Sequence, residues 1–470
     1  MSRATSAMRS RVRVLSVAHV LPAQEGFLPV DGHVKLSFMD ALFIDRPSLV
    51  RSLKSSLAAA LAVFTPLAGK LSHRASTGDV FVDCSPAAVS PGVRFVEAEY
   101  AGSIGDMRRL AIGDEHNTEA LALLGPELNA ARLPAPVLAV QVTRPAIGVG
   151  DGRGRSAVVV AVSIHHAVAD GHSVWQFMNA WSALSRDPAA GLVPPTFERA
   201  AIRYPEADEV ARKFLRTIAP ALPVARSPSL SHTPPDLRRR TFLLRAGDIE
   251  SVKRRIVAQS EAIGGGEQMD TRLPSTYVAV SSLVWTSIVR AKQTSSDMDD
   301  PAAAAADDDA NACYLLLPAD LRRCLVGATA AVDERYFGNC VAPCFARAAA
   351  GDLRDVGAGL ARAAAAIGDA VGARLEDPLG GAERWLDRFL AAPRERLTHM
   401  GSSNRFMAYE VDFGWGTPSR VEPVSLFARE LVLLLGAKDG GVQVTVALDH
   451  AHMEGFVANL MWVSGQGNKV

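Results

Sequence analysis

The stretch from Ser156 to Trp181, SAVVVAVSIHHAVADGHSVWQFMNAW, puts side chains capable of proton chemistry at the end of an apolar run. His165 and His166 close a β-rich segment, and Asp170 follows His166 by four residues across a short turn. An imidazole titrates near ~6.5, so a histidine held at a strand end can accept a proton at neutral pH. A satisfied structural histidine suits the same place, and spacing alone favours that plainer role. His165, His166, Asp170 and His172 also have the types of metal ligands. HExxH is absent, however, and adjacent histidines on an extended strand point to opposite faces, so a metal is the weaker reading. Asp170 reads first as the N-cap of the next helix or the partner of a buried cation, and only then as a catalytic group. A serine hydrolase would need a GxSxG elbow, and the chain has none.

Two further segments combine aromatic residues with glycine. Asp412-Phe413-Gly414-Trp415-Gly416 sets a carboxylate and two aromatic rings among glycines that permit a tight turn. Tyr336-Phe337-Gly338-Asn339-Cys340 has the composition of a turn at a strand boundary. Either could be no more than a loop with an aromatic anchor.

Elements must position these residues. Val12 to Val20 alternates like a strand, and Pro47 to Phe64 carries Leu49, Leu53, Leu57 and Leu61 at helical spacing before Pro66 and Gly69. Pro136–Ile147 and Ser156–Ile164 read as a hairpin around the Gly-rich GVGDGRGR turn. A helix from Ser173 to Leu184 shows Val174, Phe177, Met178 and Trp181 as its apolar stripe, with Ser173 and Gln176 at capping-box spacing. Pro205 to Arg238 reads as a long linker. A strand (Thr241–Leu244), a helix from Asp248 to Ser260 and a helix from Thr276 to Lys292 follow. Ser295 to Ala312 is an acidic Ala-Asp insertion, read as a mobile surface segment. Ala-rich helical segments lie between Asp352 and Pro393. A strand (Val442–Leu448) and a helix through Met453, Phe456, Leu460 and Trp462 close the chain. Strands and helices do not alternate as regular βαβ units, which predicts α/β architecture in α+β layers.

At 470 residues, 48% hydrophobic and 21% charged, the chain is expected to fold as two or three domains. Fifty basic residues balance fifty acidic ones, so neither a nucleic-acid footprint nor a membrane-surface patch is expected. Five scattered cysteines fit reduced thiols in a cytosolic protein, with no zinc pair. The apolar runs are strand-sized, short of the ~18 residues of a spanning helix. Arg3, Arg9, Arg11 and Arg13 without an acid resemble a transit peptide in composition, but only about ten residues precede the first strand, and the cytoplasm is the expected compartment.

His166-Ala-Val-Ala-Asp170-Gly171 resembles the HxxxDG motif of the plant BAHD acyltransferases, and Asp412 to Gly416 matches that family's DFGWG motif in full. Tyr336 to Cys340 resembles the YFGNC motif of the subgroup that acylates anthocyanins and other phenolic glycosides. Pro66-Leu67-Ala68-Gly69, Asp320-Leu321-Arg322 and Ser275-Thr276 are further echoes. The chain departs from the pattern at Ala319, at Asn404, in the acidic insertion, and at His172, where malonyl-using relatives often carry Lys or Arg.

The resemblance implies two chloramphenicol-acetyltransferase-like domains, residues 1–204 and 239–470, joined by a crossover over 205–238, with a channel between them past His166. Residues 412–435 are expected to pack on the first domain. It implies His166 as general base in direct transfer from acyl-CoA to a hydroxyl, with Asp170 turned away and paired with Arg322. Asp412, Gly414, Gly416 and Asn339 are implied as structural motif residues, and Trp415 Nε1 as a donor to the oxyanion. Lys253, Arg254, Arg255 and Arg405 are candidate cations for CoA phosphates, with Ser275 and Thr276 beside them; the 253–255 run reads equally as a solvated helix face. The partners implied are acyl-CoA as co-substrate, malonyl-CoA ahead of hydroxycinnamoyl-CoA, and a flavonoid, anthocyanin or other phenolic glycoside. No bound cofactor and a monomer are expected. A non-catalytic binding relative and a hydrolase on the same fold are the alternatives from other classes.

Overall fold

The structure is a computed structural model that describes residues 11–23, 47–113, 115–116, 118–146, 157–225, 237–264, 272–296, 311–325, 332–424 and 430–464. The Gly-rich turn, most of the acidic insertion, and residues 1–10 ahead of the first strand lie outside them.

In the first half, β1 (Val12–Val20), α1 (Pro47–Val63), β2 (Val93–Tyr100), β3 (Leu138–Pro145), β4 (Val159–Ile164) and α2 (Gly171–Arg186) follow in order. The strands form one sheet in the order β1-β2-β3-β4, parallel between β2 and β3 and antiparallel elsewhere. The four-residue spacing of Leu53, Leu57 and Leu61 becomes a stripe of α1 with no exposed surface, because residues one turn apart share a helix face. It packs with Phe95, Val140 and Val142 of the sheet and with Phe177 and Trp181 of α2 in one apolar cluster. Trp181 satisfies its indole N–H inside that cluster, donating to Ser56 Oγ at 3.1 Å. Although its sequence is an apolar run, β4 is, among the described residues, an edge strand, half-buried along its length.

The expected linker contains a helix, α3 (Ala207–Ile218). Lys213 binds it to the second half, donating to Asp387 Oδ2 at 2.6 Å and to the Glu383 carbonyl at 2.8 Å. Then come β5 (Leu237–Leu244), α4 (Ala246–Ile263), α5 (Thr276–Ser296), β6 (Ala312–Asp320), β7 (Val341–Ala349), α6 (Gly359–Glu376), β8 (Leu397–Met400), β9 (Leu431–Gly436), β10 (Val442–Asp449) and α7 (His450–Ser464). Among the described residues these strands make a mixed sheet ordered β7-β6-β8-β9-β10-β5, extended at the β5 edge by Glu115–His116 of the first half. Helices α4 to α7 cover one face, with Trp285, Ile288 and Phe456 in a second apolar cluster. On the other face Arg239 is buried, donating to the Pro423 carbonyl, and Thr241 meets Thr445 at 3.0 Å.

Residues 412–435 therefore divide. Val411 and Phe413 join the apolar cluster of the first half, whereas Leu431–Gly436 lies inside the second sheet. The expected passage of a strand into the first half is thus confined to the residues around Phe413, because the buried, apolar 431–436 segment finds two strand partners in its own sheet.

Among the described residues no helix is long and apolar enough to cross a membrane.

Candidate active site

His166 follows the end of β4 by two residues and is exposed in a turn. His165 is half-buried; its backbone N–H donates to the Val137 carbonyl at 2.8 Å, and its Nδ1 accepts from Ala167 N at 3.2 Å. Burial holds the His165 imidazole below its ordinary pKa, with the neighbouring His166 adding to the effect.

Asp170 ends the turn and caps α2, accepting from Ser173 N at 3.0 Å. The capping box read from Ser173 and Gln176 does not form, because Ser173 Oγ is turned to the other half of the protein. There it accepts from Gly338 N at 2.9 Å and lies 3.2 Å from Arg322 Nη2. The guanidinium of Arg322 is fully buried and reaches both carboxylate oxygens of Asp170, at 3.0 and 2.9 Å. Its other N–H groups go to the Tyr336 carbonyl (3.1 Å), the Gly338 carbonyl (2.9 Å) and Asp320 Oδ1 (3.0 Å). Burial opposes the charge on Arg322, but the carboxylates of Asp170 and Asp320 more than offset it, and its pKa is held above the ordinary value.

The segment Tyr336–Cys340 thus docks on the loop that carries His166. Cys340 N donates to Asp170 Oδ2 at 3.0 Å, and Asn339 Nδ2 donates to the His166 carbonyl at 2.8 Å. Gly338 has φ +158°, and a Cβ there would stand 2.6 Å from the Arg199 guanidinium carbon, which explains a glycine between Phe337 and Asn339. Gly171 is explained in the same way: a Cβ would meet the Phe406 ring at 2.5 Å. Arg199 and Phe406 carry no sequence signal for this role, since each contact depends on chain brought back from far away. His172 places Nε2 3.0 Å from the Glu334 carbonyl and Nδ1 3.7 Å from Asp320 Oδ2.

The Asp412–Gly416 loop lies elsewhere. Asp412 Oδ1 accepts from the backbone N–H of Gly414, Trp415 and Gly416 at 2.7, 3.1 and 3.0 Å, and these bonds pull its carboxyl below the usual range. Gly414 and Gly416 have φ of +97° and +95°, a conformation costly for other residues. Arg186 donates to the Asp412 carbonyl and Ser185 to the Phe413 carbonyl, which fixes the loop at the C-terminal end of α2. Sixteen helical residues span about 24 Å. Trp415, exposed and stacked on Phe413, therefore stands at the end of α2 away from the His166 turn, and the structure does not bring its indole to His166 as the expected oxyanion donor.

The candidate CoA residues are dispersed. Lys253 is engaged with Glu250 one turn earlier at 2.7 Å, so its ammonium is not a free cation, and Arg254 is exposed on α4. Ser275 caps α5 by accepting from Val278 N at 3.2 Å, and Thr276 opens that helix half-buried. Arg405 is exposed next to Phe406, and so near the His166 end of α2. Among the described residues no group of three or more His, Cys, Asp or Glu is placed to hold a metal ion.

This arrangement presents one exposed imidazole on a loop clasped by the second half, with the neighbouring carboxylate spent on structure. Known proteins resemble this chain in fold and in sequence. Vinorine synthase superposes with a TM-score of 0.66 at 18% identity, covering 96% of this chain and 98% of that one. Phenolic glucoside malonyltransferase 1 of Arabidopsis thaliana is 27% identical over 424 residues, 86% of this chain and 84% of that protein. Malonyl-coenzyme:anthocyanin 5-O-glucoside-6'''-O-malonyltransferase of Salvia splendens is 26% identical over 501 residues, 98% of each. The model of the Transferase family matches residues 29–461, nearly the whole chain, and the protein therefore belongs to that family, the BAHD acyltransferases, and is an acyl-CoA-dependent acyltransferase.

Proposed function

We propose that the protein transfers an acyl group, malonyl in the first instance, from acyl-CoA to a sugar hydroxyl of a phenolic glycoside. The observation that carries the mechanism is the separation of roles in the HxxxDG segment: His166 exposed, Asp170 buried against Arg322. His166 removes the acceptor hydroxyl proton as the oxygen attacks the thioester carbonyl. The tetrahedral oxyanion collapses, the C–S bond breaks, and the imidazolium returns the proton to the CoA thiolate. No acyl-enzyme is required, and no nucleophile elbow is present.

The acceptor class and the malonyl donor come from the relatives named above. A malonyl carboxylate calls for a charge-assisted partner. His172 is taken up by Asp320 and the Glu334 carbonyl, so the cation that supports a malonyl donor at this end of α2 is Arg405, which joins no ion pair among the described residues. The engagement of His172 also favours hydroxycinnamoyl-CoA as a second reading, because an aromatic acyl group needs no such cation. Incubation with malonyl-CoA, coumaroyl-CoA and a panel of phenolic glucosides, with free CoA and acylated product followed by mass spectrometry, tests both. Release of CoA with free acid and no acylated glycoside would replace transfer by hydrolysis. Arg405→Gln is expected to raise the KM for malonyl-CoA about tenfold relative to acetyl-CoA, the loss of one charge-assisted bond.

A further inference from the structure

The loop Tyr336–Cys340 is held by several bonds to its backbone, most of them from the first half, and one bond differs in kind. Phe337 N donates to the Thr196 carbonyl at 2.8 Å, and Arg199 donates to the Phe337 carbonyl. Gly338 N and the Gly338 carbonyl both meet Ser173 Oγ, at 2.9 and 3.1 Å, while Arg322 binds the carbonyls of Tyr336 and Gly338 and Cys340 N binds Asp170. Each of these uses the backbone of the loop, so none depends on the Asn339 side chain. That side chain donates instead to the carbonyl of His166, the residue that performs the chemistry in the reading above.

His166 stands in a turn beyond a half-buried edge strand, where its side chain and that of Ala167 are exposed. A bond at the carbonyl restrains ψ of His166 and with it the direction of the Cα–Cβ bond that aims the imidazole. A displacement of about 1 Å in a reacting group can cost about 10²-fold in rate.

We infer that Asn339 is a positioning residue: reaching across from the second half, its amide fixes the His166 backbone so that the imidazole meets the acceptor hydroxyl in register. The inference rests on the assignment of His166 as base, and because the loop is anchored without Asn339, removing the amide separates positioning from folding.

The test is Asn339→Ala beside Asn339→Gln, which keeps an amide N–H on a longer arm. Asn339→Ala is expected to lower kcat about 10- to 100-fold with KM for acyl-CoA within twofold and the melting temperature close to that of the native protein. Asn339→Gln should recover part of the loss. Hydrogen–deuterium exchange should rise in the peptide spanning 165–170 and stay unchanged in the one spanning 336–340. Native kcat in Asn339→Ala, an equal loss in both variants together with a lower melting temperature, or unaltered exchange at 165–170 would each overturn the inference. Exchange needs no turnover, so if the native protein acylates nothing in the donor and glycoside panel, the function assignment falls while the tether is still decided.

Discussion

Asp170 receives a hydrogen bond from Ser173 N, two contacts from Arg322 Nη2 and one from Cys340 N. An ionised carboxylate offers about four acceptor positions, and all are taken, so nothing remains to orient an imidazole. Replacing Arg322 with Ala leaves that buried charge without its counter-ion and is expected to destabilise the fold by ~3–5 kcal/mol, measured by chemical denaturation. A value near zero would mean that the pair does not hold the halves together. His166→Ala, by contrast, should lower kcat by ~10²-fold or more while calorimetry still detects CoA binding; turnover near the native rate would remove His166 from the mechanism. At this scale the sequence was informative. The residue types of the His166–Gly171 segment carried both plain readings of Asp170, cap and cation partner, and the structure contains both. The contacts of Ser173, Arg199 and Phe406 were not legible, because each depends on chain returning from a distant part of the sequence.

Helix α2 is the element on which the motifs converge. Its N-terminus bears Asp170 and meets the 336–340 loop; its C-terminus receives the 412–416 loop. Trp415→Phe should leave kcat within about twofold of native, as for a surface change remote from the chemistry, whereas Gly414→Ala should lower the melting temperature because φ of +97° strains any side chain. A large loss of kcat in Trp415→Phe at native stability would restore the indole to the active site. Helices with a clear apolar period, α1 and α2, were readable to within a few residues. Helix α3 was not, since Pro and Ser around it imitate a linker and its identity rests on contacts such as that of Lys213 with Asp387. The start of β5 was missed for a related reason: Arg238, Arg239 and Arg240 look solvent-facing, yet Arg239 is buried under the 420s segment.

Among the described residues, burial holds His165, His399 and His452 below the ordinary imidazole pKa. Each stays neutral in the fold while the unfolded chain takes up a proton below about 6.5. The unfolded state then binds more protons, so stability is full above that pH and falls as pH drops from there toward the lowered folded values. The melting temperature should therefore decline as pH falls below about 6.5, and His399→Gln should flatten the decline; an unchanged profile would shift the acid sensitivity to other groups. Among the described residues the two halves meet at several places, including Glu115–His116 on β5, the 336–340 loop on α2, and Phe413 among the first-half core residues. This interlock governs how such enzymes can be recombined. A hybrid joined in the crossover, with the first 204 residues from one relative and the remainder from another, cuts no element but mismatches both ends of α2 at once. Hybrids that exchange 166–186 together with 320–340 and 411–416 should express as soluble, active protein where the simple half-for-half exchange does not, so that the heritable unit of this active site is a discontinuous one, written in three separated segments.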